Sequence, residues 1–128
     1  MKLTEVDALR AYARTMNTLD ASHIEPLLGD NFRYSSQWMI GEFSSKQEFL
    51  DYLEAMLDSI RKSGSKVYAE IAHANAWGHD ECVVTAEGDK DNLVATVFAH
   101  VKDGKIQRID MCGDPPPSAT MRTGEYPS

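Results

Sequence analysis

The sequence predicts an α+β domain in which an antiparallel meander packs against helices from the N-terminal half. Three observations carry this reading. Apolar residues recur at helical spacing in stretches before residue 64. Four apolar runs between residues 66 and 112 are separated by three short turns, the pattern of an antiparallel meander. The chain has 128 residues, the length of one ordinary domain, so helices and strands must share one core.

The first helix is predicted over Thr4 to Thr18. Val6, Leu9, Ala13 and Met16 form one stripe, and Thr4 with Asp7 makes a capping box. A short second helix follows from about Ser22, capped with Glu25. Pro26 is tolerable in its first turn, Leu27 and Leu28 supply its apolar contact, and Gly29, Asp30 and Asn31 end it. A strand then runs from Phe32 to Trp38, with Phe32, Tyr34, Ser36 and Trp38 on one face. Gly41 permits a turn. A third helix starts at Ser44 or Ser45, with Gln47 or Glu48 completing the cap. Phe49, Leu50, Leu53, Met56, Leu57 and Ile60 form its apolar face, Arg61 and Lys62 suit the negative end of its dipole, and Gly64 stops it.

The meander is predicted as Lys66–Trp77, Glu81–Glu87, Asn92–Val101 and Ile106–Cys112. One amphipathic helix cannot cover both faces of so long a sheet. The sheet must curl around the helices, or a second subunit must cover its outer face. Residues 1–112 therefore read as the domain, and 113–128 as a tail containing Pro115, Pro116 and Pro117 with no periodicity. Alone, such a tail is expected to be extended and mobile unless its own sheet, a partner subunit or a neighbouring molecule holds it.

Composition narrows the function classes. Apolar residues are 42% and charged residues 26%, which is globular usage. Thirteen Lys and Arg against twenty Asp and Glu leave a net charge of −7, which disfavours nucleic acid and anionic membranes. Only Arg61, Lys62 and Lys66 cluster as basic residues. The N-terminus lacks an apolar signal-peptide region and no stretch of about 18 apolar residues exists, so a cytoplasmic location is expected. Cys82 and Cys112 make no metal spacing and read as reduced packing residues. The four histidines show no HxH, HxxxH or HExxH pattern, and no nucleotide-binding motif is present. No metal and no cofactor are expected.

Particular phrases carry a resemblance. Leu19, Asp20 and Ala21 are followed by Leu27, Leu28, Gly29, Asp30, Asn31 and Phe32 before the first strand. Gly41 precedes the long helix, and the run from Val97 to Ile106 forms the last hairpin. On these, the chain resembles the NTF2-like superfamily, in particular its SnoaL-like members. The resemblance implies a cone, a curved sheet wrapped on three helices, usually dimeric through the sheet. It implies a site at the open end of the cavity, and a choice among isomerases, cyclases, hydratases, epoxide hydrolases, ligand binders and adaptors.

Within that frame, Tyr12, Tyr34, Ser36 and Trp38 are the expected ligand-binding residues, a set that suits a small apolar or cyclic molecule. Tyr12 matches an oxyanion-donor position of the isomerases. Their carboxylate base falls on Ser36 and their protonated acid on Val97, so no complete acid/base set is visible. Arg108 and Asp110 stand two apart on one strand. They share a face and are the candidate catalytic pair, holding a water or an anionic group as in epoxide-hydrolase-like relatives. Thr96, Phe98 and His100, with Ile109 and Met111, are expected on the outer sheet face, where they would form a homodimer contact. All face assignments follow period-2 alternation, which a one-residue bulge inverts. The alternative function is a non-catalytic protein-binding module, an adaptor or immunity-type protein whose acidic charge suits a basic partner.

Overall fold

The computed structural model describes residues 2–39, 41–76 and 78–128. Helix α1 spans Glu5–Thr18. The Thr4 hydroxyl accepts from the Asp7 amide and the Asp7 carboxylate accepts from the Thr4 amide, both at 3.1 Å. Ala8, Leu9, Tyr12, Ala13 and Met16 are its buried stripe. Leu19, in the left-handed conformation, closes it.

The expected second helix is instead two 3-10 turns, Ala21–His23 and Glu25–Leu27. Asp20, not Ser22, caps the first of them, accepting from the Ser22 amide at 3.0 Å. No full helix develops because Leu28 is already extended. Strand β1, Leu28–Ser36, begins four residues before Phe32 and includes Gly29, Asp30 and Asn31. Gly29 is a close-packing residue there. An added Cβ would stand 2.8 Å from Oε1 of Gln107 on the neighbouring strand.

A two-residue strand β2, Glu42–Phe43, pairs with the end of β1. Helix α2 spans Lys46–Ser63. Ser45 is its cap, with Glu48 as partner, and Gly64 ends it at φ +71°. The meander is present as β3 Val67–Ala76, β4 His79–Glu87, β5 Leu93–Lys102 and β6 Lys105–Cys112. The expected end of the first apolar run of the meander, at Trp77, lies outside the described residues.

The tail adds a seventh strand. A 3-10 turn at Pro117–Ala119 leads to β7, Met121–Glu125, which pairs antiparallel with β3. The sheet order is β2-β1-β6-β5-β4-β3-β7, with β1 parallel to β6 and the other pairs antiparallel. The sheet is curved and unclosed. Its concave face packs on both α-helices through Leu9, Tyr12, Phe32, Phe49, Leu53, Leu57, Ile71, Val83, Val97 and Ile109. No helix among the described residues is long and apolar enough to cross a membrane.

The convex face carries a smaller cluster of Ala72, Cys82, Val84, Phe98 and Cys112. Thr96 and Phe98, expected to need a second subunit, are only 0% and 1% exposed in the single chain. The chain's own tail runs here. The Thr96 hydroxyl donates to the Pro115 carbonyl at 3.0 Å, and the Pro117 turn packs on β5. The tail's anchor is Glu70, whose side chain is 4% exposed. It accepts from Arg122 Nε at 2.7 Å, the Gly124 amide at 2.7 Å and the Tyr126 hydroxyl at 3.2 Å.

Cys82 and Cys112 are free and buried. Burial pushes the Cys82 thiol up to about 12, and burial with nearby Asp110 and Asp114 pushes Cys112 up to about 11. Both are therefore protonated near neutrality, and the thiolate is the reactive form. A maleimide at pH 7.5 is expected to label neither in the native chain and both after denaturation. Rapid native labelling of either would show that its strand opens.

Candidate functional site

A cavity of about 360 Å3 lies between the helices and the concave face, at the end where α1 and α2 finish. Tyr12 and Met16 enter it from α1, and Met56 and Ile60 from α2. The sheet contributes Val67, Thr85, Glu87, Val94, Ala95 and Met111, and Trp38 stands beyond the end of β1. The space follows from residue size. Thr85 and Ala95 face each other across β4 and β5, two short side chains where a larger pair would fill the layer. The register shift just beyond that pair is what brings Val94, next to Ala95, onto the same lining.

The lining is mainly apolar, with three polar side chains: the Tyr12 phenol, the Thr85 hydroxyl and the Glu87 carboxylate. Tyr12 is 2% exposed, and burial raises its pKa well beyond the usual phenol range. It is a neutral hydrogen-bonding group at any working pH. Trp38 is 62% exposed, and its ring covers the backbone of Gly113 so closely that an added Cβ there would stand 3.0 Å from Cζ2. An indole standing in solvent beside an apolar hollow is a ready stacking surface.

The six residues expected from sequence do not converge. Tyr12 and Trp38 line the cavity. Tyr34 does not, because it sits deeper. Its ring packs 4.9 Å from Phe49, 5.6 Å from Tyr52 and 5.9 Å from Phe43, and its hydroxyl donates to Sδ of Met111 at 3.8 Å. Ser36 caps a turn, its hydroxyl accepting from the Trp38 amide at 3.2 Å. Val97, at the expected acid position, is fully buried core.

Arg108 and Asp110 are on the opposite face of the sheet from the cavity. Arg108 pairs with His100, and Asp110 with Phe98, which belongs to the convex cluster. The cause is a bulge. Val101 faces Ile106, but His100 faces Arg108, so Gln107 is an extra residue in β6. Ile106 and Ile109 therefore both point into the helix-facing core, and the alternation is inverted beyond Gln107. This also corrects the expected dimer face. Ile109 is buried under the helices and Met111 packs against the same core, opposite Ala99 and Val97.

On the convex face Arg108 belongs to a polar network. It holds Asp110 at 3.0 Å and Glu42 at 3.1 Å, Arg33 holds Glu42 at 2.7 Å, and the Ser35 hydroxyl donates to Asp110 at 3.0 Å. Arg33, then Arg108, keep the Glu42 carboxyl below its usual range. The network ties β2, β1 and β6 together. It borders a separate convex groove of about 340 Å3 floored by Phe98 and Cys112.

Sequence reasoning missed Thr85, Glu87, Val94, Ala95 and the helix residues Met16, Met56 and Ile60 as lining. A signal for two of them was present. Thr85 and Glu87 share the alternation of Val83, a core residue, so they continue the concave face to its rim. Among the described residues no group of three His, Cys, Asp or Glu side chains is placed to hold a metal.

Comparison with known proteins agrees with this architecture. An NTF2-like protein of unknown function from Cytophaga hutchinsonii superposes with a TM-score of 0.60 at 16% identity, over 90% of this chain and 96% of that one. A provisionally assigned polyketide cyclase from Sinorhizobium meliloti gives 0.58 at 16% identity, over 82% and 93%. An LEH-like epoxide hydrolase from M. tuberculosis gives 0.53 at 17% identity, over 84% and 83%. At such identities the likeness is one of fold. No curated protein matches the chain in sequence. The family model for a SnoaL-like domain matches residues 9–109, so the chain belongs to the SnoaL-like domain family and carries its NTF2-like fold.

Proposed function

We propose that the chain binds a small molecule with an apolar, cyclic body in the cavity between the helices and the concave face. The observation that carries this is the cavity itself. Its 360 Å3 falls within the ~300–1,000 Å3 of ordinary ligand sites, and its lining is apolar with a few polar groups. Tyr12 and Thr85 supply hydrogen bonds inside, and Trp38 offers a ring to stack on at the mouth. The relatives named as a cyclase and an epoxide hydrolase fit a fold that handles small organic molecules. The reading is one of binding. Ser36 and Val97 stand where the isomerases need a base and an acid, and Arg108 with Asp110 faces away from the cavity.

The alternative of a protein-binding module called for a closed cavity and a bare apolar sheet face. The cavity has Trp38 and Val94 at an open mouth, and the convex apolar cluster is buried within the single chain. Both observations favour the small-molecule reading. Calorimetric titration with 2-naphthol, a neutral bicyclic phenol, is the test. Saturable one-to-one binding with a negative heat-capacity change is expected, because apolar surface is buried. Absence of binding by this and by other neutral mono- and bicyclic probes would refute the proposal.

A further inference from the structure

We infer that the cavity takes an uncharged or cationic ligand and rejects carboxylates and phosphates, with Glu87 at its mouth as the discriminating residue. The inference rests on the binding role proposed above and assigns the class of molecule bound. Its basis is the charge of the lining. Of the eleven lining side chains, Glu87 alone is charged, and no Lys, Arg or His is among them. Tyr12 is held neutral by its burial. An anion entering the cavity would leave water for a wall with no cation to receive it, and would pass a carboxylate on the way.

The basic residues nearby do not offset this. Lys66 is not in the lining; it belongs to an adjoining hollow that shares Ile60, Val67 and Glu87 with the cavity. Lys90 lies over the Tyr126 and Tyr68 rings, 4.5 and 5.7 Å from their centroids. No ion pair engages Glu87 among the described residues, so its charge is free to act on a ligand. Arg108, the cation that sequence reasoning assigned to the site, is beyond the sheet and already holds Asp110 and Glu42. The Tyr12 and Thr85 hydroxyls both donate and accept and so serve either kind of ligand, whereas the Glu87 carboxylate only accepts and favours a ligand amine or hydroxyl.

The net charge of −7 repels any anion at long range. The test must therefore separate that field from Glu87. Three probes of one shape do so: 2-naphthol, 2-naphthylmethylamine and 2-naphthoate, titrated calorimetrically at pH 7 into the full chain and into Glu87→Gln. In the unaltered chain the naphthoate is expected to bind at least about tenfold more weakly than the naphthol, the size expected for one partly screened carboxylate nearby. Glu87→Gln is expected to narrow that gap by about threefold or more, the remainder coming from the cation-free wall and the net charge, and to weaken the amine. Equal affinity for naphthoate and naphthol in the unaltered chain would overturn the inference. So would a gap that persists undiminished in Glu87→Gln, which would assign it to the cation-free wall and the global field and leave Glu87 no discriminating role. Failure of both naphthol and amine to bind overturns the binding role itself, and this inference with it.

Discussion

Arg122→Ala is expected to lower the melting temperature by about 10 °C, from a loss of about 2–4 kcal/mol. Glu70 is the reason. Its carboxylate is nearly sealed between β3 and the tail, and Arg122 is its only cationic partner among the described residues. Removing the guanidinium leaves a buried charge with two neutral donors, the Gly124 amide and the Tyr126 hydroxyl. Arg122 also ties the tail to the turn between β4 and β5, through Asp91 at 2.9 Å and the Lys90 carbonyl at 2.9 Å. The double variant Glu70→Leu with Arg122→Leu is expected to regain most of the loss, because the uncompensated charge is gone. Thermal unfolding followed by circular dichroism checks both. A chain ending at Cys112 extends the argument. It removes the Pro115 and Pro117 contacts on β5 and leaves the Thr96 hydroxyl without its acceptor, and light scattering is expected to show species larger than the full chain gives at the same concentration. An Arg122→Ala melting temperature within 2 °C of the original would contradict the role given to Glu70.

Ala95→Phe is expected to weaken 2-naphthol binding by about 100-fold, while the fold loses no more than about 1–3 kcal/mol. Ala95 sits at the back of the cavity opposite Thr85, so a ring placed there occupies the ligand's space and not the packed core. The loss of binding should therefore exceed the loss of stability. Arg108→Ala is the matched control. It removes the most connected cation of the convex network but touches nothing that lines the cavity, so binding should stay within about twofold and stability within about 1 kcal/mol. The reverse outcome, with Arg108→Ala abolishing binding and Ala95→Phe sparing it, would move the site to the convex groove.

Much of the fold was legible because local chemistry and global packing agree in its main elements. The stripe of Leu9 and Met16, the Ser45 cap and the left-handed Gly64 each specify a helix without reference to distant residues. The meander was legible because three glycine-containing turns separate its runs. Three features were not. Strand β7 has no apolar alternation, since Met121 to Glu125 lie at an exposed edge and are held by Glu70, more than fifty residues away. The early start of β1 rests on the parallel pairing of Leu28 with Ile106, far along the chain. The face of Arg108 and Asp110 depends on one extra residue in β6, and nothing local in the run from Ile106 to Cys112 marks Gln107 as that residue.

The site was half legible for a related reason. Alternation told which face Tyr34 occupies, but not how deep it lies under Phe43, Phe49 and Tyr52. Tyr12 was found through the family resemblance. The carboxylate at the mouth was overlooked because a glutamate ending a strand reads as an ordinary solvent-facing residue.

The most direct test uses the methionines as reporters. Met16 and Met56 line the cavity from the two helices, whereas Met121 is exposed on the tail strand. Methyl-labelled methionine, followed by two-dimensional carbon–proton NMR during titration with 2-naphthol, places the ligand in one experiment. Saturable shifts at Met16 and Met56 with Met121 unmoved are the predicted result. Binding that shifts neither Met16 nor Met56 would contradict it.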